Sequence, residues 1–67
     1  MASRRLSRVQ RELLDEFASG RDPDRFVNPG YRRTADVLVR HGYLARTITW
    51  GWYAITEAGR VEASSDD

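Results

Sequence analysis

The run Trp50-Gly51-Trp52 constrains this chain more than any other stretch. It lies between two segments rich in aromatic and β-branched residues, Tyr43 to Ile48 and Trp52 to Ile55, which read as strands. Strands joined through so short a link form an antiparallel hairpin. A two-residue loop of Trp50-Gly51 would force a positive φ on tryptophan, which is costly. A three-residue loop, Thr49-Trp50-Gly51, puts that φ on glycine. It pairs Ile48 with Trp52 and Thr47 with Tyr53. Tyr43, Ala45, Tyr53 and Ile55 then share one face, and Leu44, Arg46, Ile48, Trp52 and Ala54 the other. A slip of one residue would exchange the two faces. Gly42 closes a helix just before the hairpin, and Thr56-Glu57 caps another just after it.

Four segments carry helix signals. Leu6, Val9, Leu13, Leu14 and Phe17 recur at helical spacing, predicting a first helix from Ser3 or Ser7 to Ser19, ended by Gly20 in the left-handed conformation. Asp22-Pro23 is an N-cap followed by proline, which predicts a single helical turn carrying Phe26 and Val27 inward. A helix from Pro29 or Tyr31 to His41 sets Tyr31, Ala35 and Leu38 inward at i, i+4 and i+7, and Arg32, Arg33, Asp36 and Arg40 largely outward. A last helix runs from Glu57 to about Ala63. Val61 turns to the core, and Gly59 implies close packing against a neighbour, with the first helix as candidate.

The expected fold class is mainly α (α+β), with three to four helices and a two-stranded hairpin. Residues 1–63 make a single domain and 64–67 a frayed acidic tail. A chain of 67 residues buries only about 60% of its unfolded surface and has no cysteine to staple it, so a partner subunit is a live option.

The net charge is +1, yet every basic residue is arginine. Arg4, Arg5, Arg8 and Arg11 precede the first acid, while Arg32, Arg33, Arg40 and Arg46 face only Asp36 in the middle of the chain. A near-neutral total can therefore hide a basic face. Arg8 with Glu12 and Arg11 with Asp15 are also spaced for i,i+4 ion pairs. No apolar run is long enough to span a membrane. Residues 1–17 do not read as a signal peptide, so a cytoplasmic location is expected. Catalysis is not expected. His41 is the lone histidine, and it sits where it complements a helix C-terminus. No metal-ligand cluster or Gly-rich phosphate loop is present, so no cofactor and no small-molecule substrate are expected.

Thr34-Ala35-Asp36-Val37-Leu38-Val39-Arg40-His41-Gly42-Tyr43-Leu44 resembles the end of the reading helix in winged helix-turn-helix proteins. Tyr53-Ala54-Ile55-Thr56-Glu57-Ala58-Gly59-Arg60 is similar to the segment that closes their wing. The resemblance covers about residues 34–60. It implies a reduced winged helix, double-stranded DNA as partner, and a role as a small transcriptional or phage regulator, often dimeric. The helix near 31–41 would enter the major groove and the 43–55 hairpin would be the wing. Arg32 and Arg33, near the helix start, would meet base edges, and Asp36 shares their surface. Arg40 would meet phosphate, and Arg46 and Thr47 on the wing would meet the backbone or the minor groove. Arg4, Arg5 and Arg8 would form a basic arm.

A second reading comes from the residues alone. Exposed tryptophan is enriched at interaction hot spots. Trp50, Trp52 and Ile48 would then form an apolar wing surface that dimerises or binds a host protein.

Overall fold

Ser7 starts the first helix through a reciprocal capping box. Its hydroxyl accepts the Gln10 N–H at 3.2 Å while the Gln10 amide oxygen accepts the Ser7 N–H at 3.0 Å. The computed structural model describes residues 6–64. Helix α1 (Arg8–Ser19) buries Leu14 and Phe17 completely, with Leu6 and Leu13 packed beside them, but Val9 is exposed. Gly20 is extended at φ −77°, not left-handed as expected. The Ser19 hydroxyl donates to the Asp15 carbonyl at 2.8 Å, and Gly20 N–H reaches the Phe17 carbonyl at 3.4 Å, so the last turn closes without a left-handed residue.

The segment after Pro23 corrects the expected helical turn. Asp24–Phe26 is a strand, β1, antiparallel to the second strand of the hairpin. Two flanking bonds extend the pairing, from Ile55 N–H to the Pro23 carbonyl at 3.0 Å and from Val27 N–H to the Gly51 carbonyl at 2.9 Å. A helical turn would have left that hairpin edge unpaired, and open edges are costly to leave bare. Strand alternation then separates the two residues expected to go inward. Val27 is 3% exposed, while Phe26 is 48% exposed.

A 3-10 turn (Pro29–Tyr31) leads into α2 (Arg32–Arg40), which buries Ala35 and Leu38; Tyr31 is exposed, contrary to expectation. The helix ends in a Schellman motif around Gly42, whose φ is +87°. Gly42 N–H bonds the Val39 carbonyl and Tyr43 N–H bonds the Leu38 carbonyl, both at 2.9 Å.

The hairpin strands are β2 (Leu44–Arg46) and β3 (Trp52–Ile55), and β3 is central in a three-stranded antiparallel sheet of order β1-β3-β2. The sequence predicts two strands; β1 supplies the third. The hairpin register also differs by one residue. Leu44 pairs with Ile55, Ala45 with Ala54 and Arg46 with Tyr53, and Thr47 N–H bonds the Trp52 carbonyl at 3.1 Å. The link is Ile48 to Gly51, with Gly51 at φ +87°. The slip puts Leu44 beside Tyr53 and Ile55 on the inner face. Burying these three side chains is the better hydrophobic solution.

Helix α3 (Glu57–Ser64) is capped by the Thr56 hydroxyl, which accepts the Gly59 N–H at 3.0 Å and donates to the Gly42 carbonyl at 2.6 Å. Ser64, assigned to the tail from sequence, is helical, and 65–67 lie outside the described residues. Gly59 does pack closely, but against the Tyr43 backbone rather than α1. Val61 points outward instead of to the core. The described residues form a small α+β domain of three α-helices and a three-stranded sheet. Its core is Leu14, Phe17, Val27, Ala35, Leu38, Leu44, Tyr53 and Ile55. No described helix is long and apolar enough to cross a membrane.

Candidate nucleic-acid interface

Because Ala35 and Leu38 point inward, the 3.6-residue period turns Arg33, Val37 and Arg40 outward. The two arginines are exposed and stand about 10 Å apart along the axis, at about 1.5 Å rise per residue. Among the described residues, the ion pairs are Arg8–Glu12, Arg11–Glu62, Arg25–Glu16 and Arg46–Asp36. Arg33 and Arg40 take part in none of them.

The side of α2 that faces the hairpin is different. Arg32, Asp36, Arg46, Trp50 and Tyr53 line an open cleft of about 240 Å³ between helix and hairpin. Asp36 Oδ1 accepts from the Tyr53 hydroxyl at 2.9 Å and from Arg46 Nη2 at 3.2 Å. The Tyr53 bond and then the Arg46 charge hold the Asp36 carboxyl below its ordinary range. Burial, reinforced by the Asp36 carboxylate, pushes the Tyr53 phenol up. The Arg46 cation is further stabilised by its bond to Asp36. Arg46 is therefore committed to an intramolecular pair, at an exposed position where such pairs contribute little net stability.

Arg32 lies under the hairpin tip. Its guanidinium carbon is 3.9 Å from the centre of the Trp50 ring. Its Nε and Nη2 are buried and have no hydrogen-bond partner among the described residues. A cation over an indole contributes about 0.5–2 kcal/mol. Each unsatisfied buried donor costs about 1–3 kcal/mol. The two donors together cost about 2–6 kcal/mol, which offsets or outweighs the stacking, so the closed contact is held weakly. Gly51 makes the approach possible, because a Cβ there would stand 3.3 Å from Arg32 Nη2 and 3.0 Å from Phe26 Cε1.

Thr47 is occupied within the tip. Its hydroxyl accepts the Thr49 N–H at 3.2 Å and lies within donating distance of the Thr49 and Trp52 carbonyls. Ile48 is fully exposed, and Trp50 is 77% exposed with its outer face free. Trp52 stands on the outer sheet face, edge-on to Phe26 at 6.2 Å between ring centres. Arg8 is at the start of α1, 3.8 Å from Glu12. Arg4 and Arg5 lie outside the described residues.

The structure thus brings Arg32, Asp36, Arg46 and Trp50 together and leaves Arg33 and Arg40 on the outward surface. Sequence reasoning missed Phe26 as part of the aromatic surface and Tyr53 as the partner of Asp36. Reading residues 24–27 as a strand would have revealed the first. The second depends on the hairpin register. Comparison of the chain with protein-family models, with curated proteins and with solved structures finds no match.

Proposed function

We propose that this is a DNA-binding winged-helix module that serves as a small transcriptional or phage regulator, with α2 in the major groove and the β2–β3 hairpin as its wing. The observation that carries this reading is the outward pair Arg33 and Arg40, exposed and without an ion pair among the described residues, on a helix that the hairpin leaves open on that side. A groove about 12 Å wide admits a helix of this size. Arg33, near the helix start, suits a base edge or a flanking phosphate. Arg40 suits a phosphate one strand over.

Fluorescence anisotropy of a labelled duplex across a salt series tests the proposal. Binding that weakens steeply with salt is expected. Arg33→Ala with Arg40→Ala is expected to lower the salt slope by about one if Arg33 meets a base edge and by about two if it meets a phosphate, close to one for each phosphate no longer neutralised. Absence of binding at low salt would overturn the reading.

Full exposure of Ile48, together with Phe26 and Trp52 on the outer sheet face, favours a second reading. In it the tryptophan wing dimerises or docks on a host protein. Sedimentation at increasing concentration tests the dimer. A mass that stays monomeric, and is unchanged by Trp52→Ala, would remove it.

A further inference from the structure

We propose that Trp50 acts as a latch on Arg32, holding a DNA-contacting arginine closed in the free protein and releasing it when duplex binds. The inference rests on the DNA-binding reading and concerns regulation of that same surface. A guanidinium offers two bidentate edges, one of Nη1 with Nη2 and one of Nε with Nη2. Both include Nη2, which is buried here. In the closed arrangement Arg32 therefore cannot present a fork to a guanine edge or a phosphate. It sits in the first turn of α2, next to Arg33, where a fork would be useful.

The contact is built to open. Among the described residues the buried donors gain only the face of the ring and no acceptor, whereas a phosphate would give both of them acceptors. A ligand shifts such an equilibrium by the difference in its interactions with the two states, and here that difference is the pair of acceptors that Nε and Nη2 lack when closed. The hairpin backbone need not move. Val27 N–H to the Gly51 carbonyl, at 2.9 Å, and Trp52 N–H to the Thr49 carbonyl, at 3.1 Å, pin the tip on both sides of the indole. The indole itself is mostly exposed, so rotation about its own side-chain bonds suffices. Once it turns, Arg32 swings from beneath Gly51 to the outward side of α2.

The arginine Nε–Hε signals in a proton–nitrogen correlation spectrum test the latch, with Arg32 assigned by its loss in Arg32→Lys. In the free protein the Arg32 signal should lie upfield of the other arginines, displaced by the indole ring current. Titration with a short duplex should return it to their position. Trp50→Ala should place it there without DNA and tighten duplex binding roughly fivefold, as expected if the closed form holds about four-fifths of the population. Trp50→Phe should fall between, and Arg32→Ala should abolish the gain. If duplex binds and shifts other signals while Arg32 stays upfield, the latch is overturned and the DNA reading stands. So too if Trp50→Ala binds no more tightly. If duplex shifts no signal, the DNA reading fails and takes the latch with it.

Discussion

The Tyr53 hydroxyl on β3 donates a 2.9 Å hydrogen bond to Asp36 on α2, fastening the inner face of the sheet to the helix through one carboxylate. Tyr53 is otherwise a core residue, so Tyr53→Phe keeps the packing and removes only this bond. A loss of about 1 kcal/mol is expected, since Asp36 is partly exposed and retains Arg46. In a domain of this size that lowers Tm by roughly 4–8 °C. The pair also sets a pH dependence. Because the folded Asp36 carboxyl is held low, its contribution is complete above the ordinary carboxylate range and is lost as pH falls through the depressed value. Because the folded Tyr53 phenol is held high, its contribution is complete below the ordinary phenol value and is lost as pH rises through the raised one. Thermal melts across pH should show both limbs, and Tyr53→Phe should flatten the two together. An unchanged acid limb in that variant would show that the bond contributes nothing.

Gly59 looks like a weak point in α3, where alanine would be favoured by about 1 kcal/mol on helix propensity. The packing argues the other way. A Cβ at this position would collide with the Tyr43 carbonyl and stand 2.9 Å from Ile55 Cγ1. Neither yields cheaply, because one is backbone and the other is core. Gly59→Ala should destabilise the domain by about 1–3 kcal/mol, as overpacking does. A urea midpoint equal to or above that of the parent would refute the close approach.

The helices were legible in the sequence because their signals are local. Ser7 with Gln10, Gly42 and Thr56 each mark a boundary through bonds to residues a few positions away. Gly59 announced close packing without naming the neighbour. The strand over 24–26 was not legible, because its reason for existing is the open edge of β3, roughly thirty residues away. The local Asp22-Pro23 signal pointed to a helix and lost to that pairing. The hairpin register failed for a related reason. Turn chemistry allows Gly51 its positive φ in either register, and burial of Leu44 beside Ile55 decided between them. The surface inherits both difficulties. Each of Arg32, Asp36, Arg46 and Trp50 stood out by type, but their pairing across helix and hairpin follows from the register.

Gly42 and Gly51 share a φ of +87°, yet their surroundings differ. A Cβ at Gly42 meets no atom within 4 Å, whereas one at Gly51 meets Phe26 and Arg32 side-chain ends. Alanine at either position carries the left-handed backbone cost of roughly 1–2 kcal/mol. The side chains near Gly51 are free to give way, so the two variants should lose similar stability in urea. Only Gly51→Ala should displace Arg32 from the indole and change the tryptophan emission of the folded protein. A Gly42→Ala variant with the same spectral change would show that emission does not report the stack.

Asp36 places a negative charge on the same helix as the outward arginines and holds Arg46 in an ion pair. On the DNA-binding reading it opposes phosphate twice, by repulsion and by occupying a cation. Asp36→Asn removes the charge and keeps an oxygen that can accept from Tyr53. The variant should bind duplex several-fold more tightly at low salt, with a salt slope steeper by about one as Arg46 becomes available to a phosphate. The acid limb of its stability should vanish as well, which separates the effect on folding from the effect on binding. Arg46→Ala supplies the control, because adding it to Asp36→Asn should return the slope to the parent value. If Asp36→Asn weakens binding while the fold persists, then Asp36 itself meets the DNA, and its carboxylate accepts from a base edge such as the cytosine amine.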